Sequence, residues 1–220
     1  MKQSGVSFGE LHSFWDLDLI LASVEIPPAS PKLTYIDIPG ADGSLDMTEA
    51  HGEVKYSDRT GAKFTFYMNP SGDLSDSAWE AKKKEVCSKL NGLFHKITLD
   101  KDPEYYWQGR CSVSEHSSKK KLRKIVVGAR LAPYKLKNDL TSISTVLDEN
   151  PSVVVLTNSR KVVCPAIICT GESLVVFNGN EYVLSPGTHK VLDIQLHEGE
   201  TPVTVSGTGK ITFQYQEGDL

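Results

Sequence analysis

Residues 37–49 read DIPGADGSLDMTE, three Asp and one Glu set around two Gly. Oxygen-rich side chains at such density are what a calcium loop uses, with ligands at loop positions 1, 3, 5 and 12, Gly at 6 and an apolar residue at 8. With Asp42 at position 5, Gly43, Leu45 and Glu49 fall on positions 6, 8 and 12. Positions 1 and 3 are then Ile38 and Gly40, which offer no carboxylate, and Pro39 lies between them. The flanks TYID and GEVKYSD are strand-like rather than helical. The stretch therefore predicts a structural turn between strands, shaped by Pro39, Gly40, Asp42 and Gly43, with acidic side chains accepting local backbone hydrogen bonds.

Other residue types with chemical potential do not converge. His51 stands between Glu49 and Glu53, half of an acid–base pair at most, and exposed strand-end residues are the commoner explanation. The six His (12, 51, 95, 116, 189 and 197) and four Cys (87, 111, 164 and 169) show no metal-binding spacing. Cys164 and Cys169 read as reduced, buried thiols on opposite faces of one strand. No nucleophile elbow and no phosphate-binding glycine loop occur. The expectation is no catalytic residue, no metal, no cofactor and no enzyme activity. Two stretches suit contacts instead. DKDPEYYWQGRCSV reads as a strand with Tyr105 and Trp107 on one face and Tyr106 on the other, both faces covered by a core or a partner. KKKLRK, beginning Lys119, Lys120, Lys121, lacks interleaved aromatics, so a hairpin tip or subunit contact fits it better than nucleic-acid binding.

The elements that must position these residues are mostly strands. Period-two alternation marks YIDI, KFTFYM, KVLDIQL and KITFQY as half-buried strands, separated by turn signals such as NPSGD, NGNE and SPGTH. A single segment has helical spacing, Trp79, Val86, Leu90 and Leu93, which predicts one helix near 76–91 with a capping box from Ser77 to Glu80 and lysines on a solvated face. Composition changes near 134–150. Up to residue 138 the chain carries 20 Lys+Arg and 18 Asp+Glu, and the remainder 4 and 10. All three Trp fall in the first part, while the second reads as about seven short strands with no helix, a small β-sandwich. The predicted domains are 1–138 and 139–220. No apolar run reaches membrane-spanning length, and the N-terminus shows no apolar signal segment, so synthesis and retention in a cytoplasm are expected.

Four blocks of the sequence resemble the distal tail proteins of long, non-contractile-tailed bacteriophages. VSFGELHSFWD carries Phe8, Gly9, His12, Ser13, Phe14 and Asp16 of the family's opening pattern. YIDIPGADGSLDMTEAHGEVKYSDRTGAKFTF is the most specific block, and ITLDKDPEYYWQGRCSV and VVCPAIICTG…GTGKITFQYQEGDL extend the likeness over nearly the whole chain. The resemblance implies a mainly β fold with one helix, an N-terminal ring-forming domain and a C-terminal galectin-like β-sandwich. It implies a structural component of the tail tip or baseplate, assembled in the bacterial host cytoplasm and residing in the virion. There a hexameric hub would join the tail tube protein and the end of the tape-measure protein to a tail-associated fibre or lysin protein, with a central channel that DNA crosses as cargo. The resemblance also implies a receptor-binding protein as a further partner, attached in some relatives at the sandwich; other relatives carry long arm or carbohydrate-binding insertions in that domain, for which the roughly 80 residues here leave no room. An alternative, a carbohydrate-binding adhesion module, would need an exposed stacking ring in the sandwich, where only Phe177, Tyr182, Phe213 and Tyr215 are available.

Overall fold

The computed structural model describes residues 4–50, 52–119 and 122–220, with side chains throughout except at 114–119 and 122. The chain forms two compact units, Met1–Lys135 and Leu136–Leu220.

The first unit contains β1 (Val6–Phe8), β2 (Leu11–His12), β3 (Leu19–Glu25), β4 (Tyr35–Asp37), β5 (Ser44–Asp46), β6 (Arg59–Met68), the helix α1 (Asp76–Leu90), β7 (Phe94–Leu99), β8 (Asp102–Lys119) and β9 (Leu122–Leu131). Seven strands form one antiparallel path, β2-β1-β7-β8-β9-β6-β3. In β6 the residues Phe64, Phe66 and Met68 turn inward while Lys63 faces solvent, the alternation that half-buried strands require. Phe8 meets Phe64 and Phe66 edge-on, at 5.7 and 6.2 Å between centroids, and these rings centre the core with Val127, Ile97 and Leu131.

Helix α1 adds Trp79, Val86 and Leu90 to that core. Its cap is Ser75, whose hydroxyl accepts from the Ala78 amide at 3.2 Å, two residues before the expected Ser77. Ser75 is preferred because Asp73 accepts from its amide and hydroxyl and orients it, an interaction that also lowers the Asp73 pKa. The lysine face expected to be solvated is half-buried and paired: Lys82 and Lys89 reach Glu85, Lys83 reaches Glu80, and of the run Lys82–Lys84 only Lys84 is exposed. Leu93, read as part of the apolar helical stripe, is exposed because the helix ends at Leu90 and Gly92 adopts a positive φ. Arg123, the last arginine of the basic run, is buried, donates to the Leu74 carbonyl and Asp76 carboxylate, and lies over Trp79. It belongs to the fold that anchors the start of α1.

The second unit begins within β10 (Lys135–Lys137) and continues with β11 (Thr141–Val146), β12 (Ser152–Asn158), β13 (Ala166–Cys169), β14 (Ser173–Phe177), β15 (Asn180–Leu184), β16 (Gly187–His189), β17 (Gly199–Gly207), β18 (Lys210–Tyr215) and β19 (Gly218–Asp219). Two four-stranded sheets, β11-β18-β13-β16 and β12-β17-β14-β15, share one core. Ile167, Ile211 and Phe213 come from one sheet, and Leu156, Val175, Val203 and Val205 from the other. This is a β-sandwich. KVLDIQL is not a strand of it. Amide-to-carbonyl turns from Ile194 to Val191 and from Gln195 to Asp193 fold the segment, and only Leu196 makes a bridge, to Val163. Ile194 and Leu196 are nonetheless buried, so the alternation reported burial without a ladder. Cys164 lies outside β13, its thiol donating to the Val191 carbonyl, and Cys169 is buried.

Glu217 ties the ends of this unit together. Burial alone would raise its pKa, but hydrogen bonds from Thr141 and Ser159 and the Lys137 ammonium at 3.3 Å outweigh burial and lower it. A carboxylate with a depressed folded-state pKa stabilises the fold above its unfolded value, and the contribution fades as pH falls through the folded value. Thermal melts of the wild type from neutral to acid pH should therefore show a loss beginning below about pH 4.5, the ordinary glutamate range. Glu217→Gln should melt lower at neutral pH and show a smaller acid loss; an unchanged acid profile would contradict this role.

Candidate functional site

The acidic stretch of the sequence forms an amphipathic hairpin. Strands β4 and β5 pair Tyr35 with Asp46, Ile36 with Leu45 and Asp37 with Ser44. The turn between them contains Pro39, Gly40, Asp42 and Gly43; the Ala41 amide bonds the Ile38 carbonyl at 3.1 Å, and Gly40 and Gly43 have φ of +83° and +76°. Both glycines occupy the left-handed region that other residues rarely enter. Asp37 accepts from the Ser44 hydroxyl and Asp46 from the Thr48 amide, and hydrogen bonds from Thr48 lower the Asp46 pKa. Asp37 and Asp46 thus have local partners, and among the described residues no group of three or more potential metal ligands gathers. Calcium added to chelator-treated protein should give no saturable heat in the micromolar range; a stoichiometric isotherm there, lost in Asp42→Asn, would contradict this assignment. His51 lies outside the described residues.

The half-burial expected of YIDI is not met. The hairpin pairs with no other sheet, and every residue from 31 to 46 is exposed. Pairing puts Ile36 and Leu45 on one face, with Tyr35, Asp37, Ser44 and Asp46 on the other. The alternation is real, but nothing among the described residues covers the apolar side. Isolated two-stranded hairpins are marginal in water, and an uncovered apolar face on one is a mark of an interaction surface.

The FGELHSFWD block builds a second organised feature. Phe8 enters the core and Gly9, at φ +64°, turns β1 into β2. Ser13 is fully buried; its hydroxyl accepts from the Val6 amide at 3.1 Å and its own amide donates to the Val6 carbonyl. The His12 Nδ1 accepts from the amides of Phe14 and Trp15, so the proton sits on Nε2, facing Asp100 at 3.2 Å. Asp100 also accepts from the Gly5 amide, and Asp16 accepts from the His12 amide. A Cβ at Gly5 would come within 2.5 Å of the His12 ring, so only glycine permits this approach. An Asp–His pair is a familiar catalytic element, but here both ring nitrogens are engaged with the fold. The network holds a rigid loop whose tip, Trp15, is 75% exposed.

The aromatic strand is covered by its own chain. Trp107 packs in the core, Tyr106 is buried beneath the Lys96 ammonium at 4.1 Å, and Tyr105 lies under Lys135 at 4.3 Å. Lys119 ends β8 opposite Leu122, while Lys120 and Lys121 lie outside the described residues. In the sandwich, Phe177, Phe213 and Tyr215 are buried, and half-buried Tyr182 donates to Asp193. Phe177, Phe213 and Tyr215 therefore offer no free face on which a sugar ring would stack. The thiols are quiet: burial pushes Cys111 up to about 12 and raises Cys164 against the opposing pull of Lys190.

No family model matches the chain, and no curated protein matches it either. A solved structure does. The crystal structure of SPP1 Dit (gp 19.1), a paradigm of hub adsorption apparatus in phages that infect Gram-positive bacteria, aligns over 100% of both chains with a TM-score of 0.69 at 14% identity. The chain has the Dit fold. At that identity the likeness is one of architecture: a mainly β chain with a single helix among the described residues.

On this Dit fold the sequence-predicted turn residues come together between β4 and β5, whereas the aromatic strand and the lysine run do not join them in one site. Sequence reasoning read the apolar alternation of Ile36 and Ile38 but missed that this side is exposed, and it missed the exposure of Trp15. The first has no local signal, since alternation marks an apolar face without saying what covers it. The second depends on contacts between residues as distant as His12 and Asp100, which no local pattern announces.

Proposed function

We propose that this chain is a structural subunit of a phage tail tip, a hub protein residing in the virion rather than an enzyme. The observation that carries the reading is the full-length match to SPP1 Dit, covering both units of the chain. In the finer form of the proposal, copies associate head to tail into a hexameric ring, the closing arrangement that heterologous interfaces give. The ring joins the tail tube and tape-measure end to the tail-tip fibre or lysin protein, and DNA crosses its centre. A first domain with nearly balanced charge suits a channel through which DNA must slide, since strong phosphate contacts would hold it. The second unit is the galectin-like sandwich, and the Tyr105–Trp107 strand with Lys119, Lys120 and Lys121 borders the contact between subunits. The uncovered pair Ile36 and Leu45 supports assembly most directly, because a hydrophobic hairpin face needs a second surface.

Light scattering on the eluting protein tests the reading. A mass near six times the 24.2 kDa chain is expected; a monomer at every concentration, even with tail proteins added, would overturn it.

A further inference from the structure

Beside the Trp15 loop the first unit carries a groove of about 260 Å³, lined by Gly5, Leu21, Ala22, Val24, Leu99 and Lys101 among others. It runs along β3, an edge strand that pairs only with β6. A bulge between Leu21 and Ser23 breaks the ladder there. Leu21 and Val24 pack on the core and form an apolar floor, while Ala22 and Lys101 are exposed at the rim. The volume equals roughly nine water molecules, suited to one large side chain rather than a drug-sized ligand, whose pockets begin near 300 Å³.

The same chain presents such a side chain. Trp15 is exposed, stacked edge-on against Phe14 at 4.8 Å, and held by the His12, Ser13 and Asp16 hydrogen bonds. A rigid, exposed Trp has little conformational freedom left to lose on binding and is the residue type most enriched among interface hot spots. The charges match as well: exposed Asp16 adjoins Trp15, and Lys101 stands at the groove rim. The geometry points to a contact between copies of this chain, in which Trp15 of one copy seats in the β3 groove of a second and Asp16 approaches that copy's Lys101. The inference rests on the self-assembly proposed above and adds a named anchor and receptor to it.

Tryptophan quenching tests the contact on the full-length protein, because Trp79 and Trp107 are 5% and 8% exposed and Trp15 dominates access to acrylamide. Quenching is followed with the sedimenting mass from about 1 to about 100 µM, the range of moderate affinities. The expected result is that Trp15 becomes shielded as mass rises. Trp15→Ala and Ala22→Arg, both at exposed positions, should each raise the dissociation constant about tenfold, and mixing the two variants should recover part of the association. If the wild type assembles while Trp15 stays as quenchable as in the dilute sample, the contact is wrong and self-assembly stands. If Ala22→Arg assembles normally, the groove is not the receptor. A wild type that remains monomeric throughout overturns both.

Discussion

Phe64→Ala should cost the first unit about 3–5 kcal/mol, the range for removing a buried aromatic ring. Phe64 has no solvent exposure, lies on β6 opposite Val24 of β3 and Val127 of β9, and meets Phe8 edge-on. Its removal deletes a large apolar surface, leaves a cavity between strands tied on both sides, and ends an aromatic pair worth about 1 kcal/mol beyond its area. Domains are stable by only about 5–15 kcal/mol in total, so the loss is severe. For a unit of this size it should lower the melting temperature by roughly 10–20 °C. Calorimetry or far-UV melting reads the shift, and a drop of less than about 3 °C would place Phe64 outside the true core.

Ile36→Asp combined with Leu45→Asp should act in the opposite way, sparing the fold and removing the oligomer. Both side chains are about half exposed and face each other across the hairpin, so their loss changes little in the single chain. Covering such a face contributes on the order of 1 kcal/mol per side chain at an interface, and burying two unpaired carboxylates there costs several more. Association should weaken by at least about a hundredfold, which corresponds to about 2.8 kcal/mol. The melting temperature of the monomer should stay within about 2 °C, as for exposed sites generally. A double variant that still elutes as the assembled species would show that the hairpin face is not part of the contact.

These two variants separate what sequence patterns carry from what they do not. Periodicity exposed the strands of the core because alternation records which side of a strand is buried, and Phe64 and Phe66 followed it faithfully. The single helix was legible from Trp79, Val86 and Leu90, although its cap lay at Ser75, where Asp73 supplies orientation that spacing alone does not reveal. KVLDIQL shows the limit of the same signal: Ile194 and Leu196 are buried, yet the backbone turns between them. YIDI shows another. Its alternation promised a covered face, and among the described residues nothing covers it. Apolar residues read as core in sequence can thus stand exposed in the folded chain, as Ile36 and Leu45 do.

Negative-stain images of the purified, assembled protein bear most directly on the central claim. The account predicts closed rings of uniform size with a central opening and six-fold averages, lost in the Ile36→Asp, Leu45→Asp variant. Single compact particles, or open filaments with no ring, would contradict it.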